Sequence, residues 1–250
     1  MLKVSIITIS YNSAKTLGET IKSVLEQSYV DLEYIIIDGQ SADTTVEIIK
    51  SYGDRISTYV SEKDDGIYDA MNKGVSLARG DIIGFINSDD KLNSEDCIWE
   101  IVKVFQVNDC DVVYGDKIYT DSKNTSKVIR YWKAGEYDKS NFEKGWMPPH
   151  LSTYIRKELY DKYGKFRTDF KIAADYELLF RFMYKHNAKS KYLPKVIARM
   201  RAGGISNKSI KNILISNYEV YKSWKVNGLS VSPLIIVRKP ISKIMQLFVR

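Results

Sequence analysis

Cysteine is nearly absent from this chain of 250 residues: Cys97 and Cys110 are the only two, and each sits beside apolar neighbours. A disulfide framework is thereby excluded, and a reducing compartment fits. Histidine also appears only twice, and no Cys/His spacing of a zinc site occurs. No run of about 18 apolar residues is present, so no membrane-crossing helix is expected. The opening Met-Leu-Lys-Val-Ser-Ile-Ile-Thr-Ile-Ser-Tyr-Asn12 has one lysine and then a strand-like run broken by polar residues, unlike a secretory signal. Also missing are the G-x-x-x-x-G-K-[ST] phosphate loop, the G-x-G-x-x-G fingerprint, H-E-x-x-H and G-x-S-x-G. Those absences argue against the P-loop, dinucleotide-binding, zinc-protease and α/β-hydrolase readings.

What is present suits a globular protein with a sizeable core. Hydrophobic residues make up 44%, enough for one large domain or one domain with a small appendage. The net charge of +7 is concentrated at one end: residues 208–250 hold eight Lys or Arg and the single acid Glu219, which leaves 1–207 close to neutral. Such a tail suits an anionic lipid surface or a nucleic acid, and equally a solvated basic face.

Two periodicities alternate through the first half. Short β-branched runs at Val4–Ile9, Glu33–Asp38, Ile56–Val60, Asp81–Ile86 and Asp111–Tyr114 read as strands. Between them, helical spacing recurs at Leu17, Ile21, Val24 and Leu25, over Gly66–Ala78, and at Ile98, Ile101, Val102 and Phe105. Thr44-Thr-Val-Glu47 fits a capping box. This alternation predicts an α/β fold with a parallel sheet covered on both faces. Residues 115–150 are polar and aromatic and read as loops with short strands. Helices are expected over 172–185 and 208–227, with a strand over 192–200.

Ligands of such sheets bind beyond the carboxyl ends of the strands, which singles out the acids found there. Asp89 and Asp90 follow a very apolar strand, where a buried charge costs several kcal/mol, roughly, unless it is paired or metal-bound. Mg²⁺ and Mn²⁺ favour one or two carboxylates plus phosphate oxygens, so the pair suits a metal–diphosphate clamp; capping the next turn is the plainer role. Asp38 ends the second strand and suits a nucleobase or ribose contact, or else an Asx turn. Asp65 lies at a helix start, where a donor contact competes with simple dipole stabilisation. Asp175 opens a helix behind two alanines, as a general base or as an ordinary helix-start acid. His150, after two prolines, suits an acceptor-side contact or a structural hydrogen bond.

Taken in order, Val4–Asn12, Asp38-Gly-Gln-Ser-Ala-Asp43, Ser61–Gly66, Gly80–Asp90 and Ala174-Asp-Tyr-Glu-Leu178 resemble family 2 glycosyltransferases over roughly residues 3–200. Asp65–Gly74 and Pro149-His-Leu-Ser-Thr153 are similar to the bacterial subgroup that builds exopolysaccharide, colanic-acid-type or O-antigen chains. The resemblance implies a GT-A fold, a Rossmann-like nucleotide-binding sheet flanked by helices, and inversion at the anomeric carbon. By the same resemblance, Asp90 with Asp89 holds a divalent metal, Mn²⁺ or Mg²⁺. Tyr11, Asp38, Asp65 and Asp89 bind the donor, and Asp175 is the catalytic base; His150 falls in the polar, aromatic segment 115–150, read from its composition as the acceptor side. Two departures stand out: Asp38-Gly39-Gln40-Ser41 replaces the more usual Asp-Asp-Gly-Ser, and Asn87 or Ser88 stands where the first acid of a D-x-D motif belongs.

The expectation is a GT-A domain over 1–207, with a nucleotide-sugar half (1–115) and an acceptor half (116–207), followed by a basic helical extension (208–250). Its partners are a nucleotide-diphosphate sugar and a saccharide or lipid-linked saccharide, at the cytoplasmic face of a membrane touched by the tail; no nucleic acid is expected. A sugar-phosphate nucleotidyltransferase and a non-catalytic nucleotide-sugar or nucleic-acid binder are the alternatives.

Overall fold

A computed structural model of the chain describes residues 1–122, 124–203 and 209–232. Its strands are β1 (Val4–Ser10), β2 (Leu32–Asp38), β3 (Thr58–Ser61), β4 (Ile82–Phe85), β5 (Lys91–Leu92), β6 (Val112–Thr120), β7 (Val128–Trp132), β8 (Thr153–Arg156) and β9 (Ser190–Arg201). The helices are α1 (Leu17–Leu25), α2 (Thr45–Ser51), α3 (Ile67–Leu77), α4 (Cys97–Val107), α5 (Ser140–Glu143), α6 (Lys157–Tyr163), α7 (Ala174–Leu179) and α8 (Ile210–Val226). All seven residues of β1 are buried, as an apolar β-branched strand covered on both faces must be. It pairs in parallel with β2 on one side and β4 on the other, and β2 pairs in parallel with β3. Consequently the loops after β1, β2, β3 and β4 emerge along one edge of the sheet.

The expected parallel sheet ends at β4. Beyond it, β8 runs antiparallel to β4 and to β6, while β6 runs parallel to β9. The described sheet has the order β3-β2-β1-β4-β8-β6-β9-β5, with β7 paired to β6. Apolar periodicity ends at Tyr114, yet β6 continues to Thr120, because its polar second half is stitched between β7 and β9. The expected capping box also differs. Thr44 makes no side-chain cap, and Asp43 Oδ1 instead accepts the Thr45 amide at 3.0 Å.

Helices pack on the sheet through the stripes read from sequence: Leu17, Ile21 and Val24 in α1, Met71 and Val75 in α3, and Ile98, Ile101 and Phe105 in α4. Helix α7 runs into a π-helical turn at Phe180–Lys185, and α8 packs against both. Trp224 of α8 lies 4.5 Å from the Phe180 ring and 4.8 Å from Tyr184. Residues 210–226, set apart in the sequence by their charge, therefore share the core of the preceding residues through Val220 and Trp224. Of the membrane-facing segment expected at 231–250, residues 233–250 lie outside the described residues. No described helix is long and apolar enough to cross a membrane. Cys97 and Cys110 are buried free thiols.

At the opposite, amino-terminal edge, Glu33 is buried and accepts the Ser5 hydroxyl at 2.6 Å, the Arg79 amide at 2.8 Å and the Arg79 guanidinium at 2.7 Å. Burial alone would raise its carboxyl; these donors outweigh it and hold it below the ordinary glutamate range. The stability this contributes is fully present above the unfolded-state value and is lost as pH falls through the lowered folded-state value. Urea unfolding should therefore find Glu33→Ala less stable at pH 7 by about 3 kcal/mol, because the Ser5 hydroxyl and the Arg79 amide lose their acceptor. Glu33→Gln should lose less at pH 7, and its deficit against the unaltered protein should narrow toward pH 4.

Candidate active site

The carboxyl edge of β1–β4 is held together by one buried carboxylate. Asp38, the last residue of β2, accepts the Ser10 hydroxyl at 3.1 Å, the Ser41 hydroxyl at 2.5 Å and amide at 2.9 Å, and the Ser61 hydroxyl at 2.7 Å. Those donors come from the ends of β1 and β3 and from the turn after β2. Asp38 is fully buried, so its oxygens face protein donors, and the exposed surface above it is formed by the loops it organises. The loop after β1 is tied in by the Asn12 amide donating to Ser41 Oγ (2.8 Å) and the Ala42 amide donating to Asn12 Oδ1 (2.9 Å). Asn12 takes the left-handed conformation (φ 48°) that an asparagine tolerates.

Tyr11 emerges from this loop 65% exposed, an aromatic face with no core to cover. Beside it lies Gly39, where a Cβ would stand 2.5 Å from the Asp64 carboxylate and 3.5 Å from the Tyr11 ring. Glycine admits that approach without displacing the Asp64 carboxylate, so Tyr11, the Gly39 backbone and Asp64 form one wall. Of the two acids at the start of α3, the sequence singles out Asp65, which is exposed and farther out; Asp64 is the one against the wall. The glycine after Asp38 was the available signal, but its reason is visible only in three dimensions.

The two acids after β4 have different surroundings. Asp90 is 0% exposed; its carboxylate accepts the Arg201 amide at 3.0 Å and the Asn87 side-chain amide at 3.2 Å. Burial, then the neighbouring charge of Asp89, push its carboxyl up to about 7, against the opposing pull of the Arg201 amide, Lys117 and Asn87. Asp89 is half-buried, with its carbonyl accepting Arg201 Nε at 2.9 Å. Asn87 thus has a role that an acid could not fill, since a carboxylate there would face Asp90 without a proton to donate. Ser88 Oγ lies 2.8 Å from Ser13 Oγ, which links this turn to the loop after β1.

Asp175 lies in the first turn of α7, half-buried, with Oδ1 accepting the Tyr176 amide at 2.8 Å. Its neighbours are visible in the groups that feel its charge. The Tyr68 hydroxyl of α3 is pushed well up by burial and then by Asp175. His150 is lowered by burial, which Asp175 opposes and Lys117 reinforces. The His150 ring lies 5.2 Å from Phe85, the last residue of β4, and 5.7 Å from Phe166. Both its nitrogens are buried without a hydrogen-bond partner among the described residues. Lys117 is felt by both Asp90 and His150, and Asp175 by His150, so these groups lie near one another, with Asp89 beside Asp90 and with Tyr11 and Asp64 bordering Gly39, next to the buried Asp38.

A further residue is not legible from sequence. Glu219 of α8, the lone acid of the basic tail, is buried and accepts three successive amides: Lys171 at 2.7 Å, Ile172 at 2.9 Å and Ala173 at 2.8 Å. These amides lead directly into α7, so one carboxylate fixes the approach to Asp175. No motif marks it, because its partners lie 46–48 residues away.

The resemblance implies a divalent cation here, and two adjacent carboxylates, Asp89 and Asp90, suit one; burial and then the charge of Asp89 raise the Asp90 carboxyl. Among the described residues no group of three or more acidic, His or Cys ligands exists. A cation here would take one or two carboxylate oxygens and complete its shell from phosphate and water, as Mg²⁺ and Mn²⁺ do with nucleotides.

Residues 5–166 match the family described as Glycosyl transferase family 2. Over 209 residues the chain is 28% identical to a PGL/p-HBAD biosynthesis glycosyltransferase of Mycobacterium bovis, covering 81% of this chain and 78% of that one. Among solved structures, TarS 1-349 of S. aureus aligns with a TM-score of 0.71 at 19% identity, covering 96% of this chain and 71% of that chain. The mannosyltransferase PcManGT of Pyrobaculum calidifontis, in complex with GDP-Man and Mn²⁺, aligns with a TM-score of 0.68 at 19% identity, covering 98% and 69%. The mixed sheet flanked by helices is the GT-A fold of these neighbours. With the match spanning well over half of its length, the chain belongs to glycosyl transferase family 2.

Proposed function

We propose that the chain transfers a sugar, with inversion, from a nucleotide-diphosphate sugar to a hydroxyl of a saccharide acceptor. The observation that carries this reading is that His150, against Phe85 at the end of β4, feels both Asp175 and Lys117, while Lys117 is also felt by Asp90, which brings Asp175 and the Asp89–Asp90 turn to one candidate cleft at the carboxyl edge of the sheet. Tyr11 offers its ring as a platform for the base, bordered by Gly39 and Asp64. Asp65 stands on the outer donor side. Asp89 would hold the cation, and Asp90, gripped by Arg201 and Asn87, sets the turn that presents it. The cation, when bound, supplies Lewis-acid neutralisation of the diphosphate.

In the displacement, the acceptor oxygen forms its bond to the anomeric carbon as the bond from that carbon to the phosphate oxygen breaks. The acceptor proton passes to the Asp175 carboxylate. A carboxylate is too weak a base to ionise an alcohol beforehand, so the proton moves during attack. His150, whose ring nitrogens no described protein group satisfies, is assigned to the acceptor side, beside Asp175. Glu219 keeps Asp175 in register by holding the three amides before it.

The M. bovis relative is named for the biosynthesis of PGL/p-HBAD. By that likeness, and by the basic, aliphatic sequence of 233–250, we extend the proposal to a lipid-linked saccharide acceptor at the inner face of a bacterial plasma membrane, in cell-surface polysaccharide synthesis. Sedimentation of the full chain with vesicles should then rise with anionic lipid content and fall when 233–250 are removed.

Release of nucleoside diphosphate from a panel of nucleotide sugars with Mn²⁺ or Mg²⁺ tests the core of the reading. Asp175→Asn should lower turnover by roughly 10²–10⁴-fold with the fold intact. Asp89→Asn should lower it by on the order of 10²-fold and abolish the metal dependence. Turnover like that of the unaltered protein in either variant removes that residue from the mechanism. Glu219→Gln should lower kcat while leaving the donor KM near that of the unaltered protein. Glu219→Ala should in addition cost about 3–5 kcal/mol in chemical unfolding, as buried amides lose their acceptor.

A further inference from the structure

Lys117 has no part in the scheme above, and its surroundings are unusual for a lysine. It is 6% exposed on β6, and among the described residues no carboxylate pairs with it. Its ammonium donates to the thioether of Met200 at 3.4 Å and lies 4.8 Å from the Tyr119 ring and 4.7 Å from the Trp132 ring. A sulfur atom and two aromatic faces are weak acceptors for three strongly hydrated N–H bonds. Buried ammonium groups without an anion are rare because desolvation costs more than such contacts return. The indole N–H of Trp132, across the β6–β7 pair from Lys117, is likewise buried with no acceptor. Two neighbouring donor groups therefore lack an oxygen partner.

The backbone brings Lys117 near the Asp89–Asp90 turn by a specific device. The β6–β9 register shifts at Gly115/Asp116 and again at Asp116/Lys117. A Cβ at Gly115 would stand 2.6 Å from the Ile197 side chain and 2.7 Å from the Lys195 carbonyl, so glycine permits the close approach at the shift. Beyond it, Lys117 pairs with Ala198, which itself pairs with Leu92, two residues after Asp90. Met200, which Lys117 touches, adjoins Arg201, whose amide holds the Asp90 carboxylate. The charge of Lys117 is felt by Asp90 on one side and by His150 on the other. Asp116, by contrast, is satisfied by Tyr131, Tyr192 and the Ala134 amide, so the shift separates a finished acid from an unfinished base.

We propose that Lys117, with the Trp132 indole N–H beside it, is a seat for a phosphoryl group of the substrate. The seat deepens the transferase reading and rests on it. It would complete the cleft by putting a fixed positive charge opposite the carboxylates of the Asp89–Asp90 turn. The phosphoryl group is that of the departing nucleoside diphosphate or that of a lipid-diphosphate acceptor; the chemistry is the same and the sources are separable.

Calorimetric titration of the full chain with Mn²⁺ present, using UDP, GDP, their nucleosides and geranyl diphosphate, tests it on Lys117→Met and Lys117→Arg. The expected result is at least a tenfold loss of affinity in Lys117→Met for the nucleoside diphosphate that the unaltered protein binds. Nucleoside binding should be unchanged, and Lys117→Arg should lie within a few-fold of the unaltered protein. An unchanged nucleotide affinity with a tenfold loss for geranyl diphosphate assigns the seat to the acceptor. Equal affinities of Lys117→Met and the unaltered protein for every diphosphate overturn the proposal while leaving the transferase reading intact. Failure of the unaltered protein to bind any diphosphate removes both. Lys117→Met should also melt at or above the temperature of the unaltered protein, because it buries the same stem without the charge. A fall of several degrees in both variants would make Lys117 a packing residue and would sink the seat.

Discussion

Burying the Asp38 carboxylate requires donors, and this chain recruits them from three directions at once. Ser10, Ser41 and Ser61 belong to the ends of β1 and β3 and the turn after β2, so the charge that must be satisfied is also the clasp that aligns those ends. Everything proposed for the cleft inherits that alignment. The Tyr11 wall, the turn bearing Asp89 and the loop joining Ser13 to Ser88 are spaced by it. A hydrophobic residue at 38 would satisfy the sheet and leave the edge unorganised.

The cleft repeats the strategy with different distances along the chain. Asp90 is satisfied by a backbone amide 111 residues away, and Glu219 by amides 46–48 residues before it. In each case a buried carboxylate sets the backbone beside a half-buried one: Asp90 beside Asp89, Glu219 behind Asp175. Acids of the same kind are divided by their partners rather than by their type.

That division marks where sequence reading succeeds and where it stops. The four parallel strands, the stripes of α1, α3 and α4, and the acids at strand ends follow from local pattern, because burial on both faces and helical spacing leave a periodic trace. The pair at 89–90 was legible as a pair. Which member turns inward was not, since the answer lies in Arg201 and Asn87. Asp64 was overshadowed by Asp65, because only the contact with Gly39 tells them apart. The polar half of β6 left no strand signature, as its partners β7 and β9 supply the pairing that composition does not advertise.

Helix α8 lies after the residues that define the family match, which end at 166, yet its glutamate grips the backbone entering α7 and its tryptophan lies among the α7–π-turn aromatics. Asp175, the acid proposed to take the proton, and the segment that steadies its backbone are thus not separable modules. Evolution of this carboxyl-terminal stretch toward a new surface or partner is constrained from within, since a drift in the pitch of α8 would be transmitted to the backbone that carries Asp175. Swapping tails between relatives would then shift the start of α7 as well.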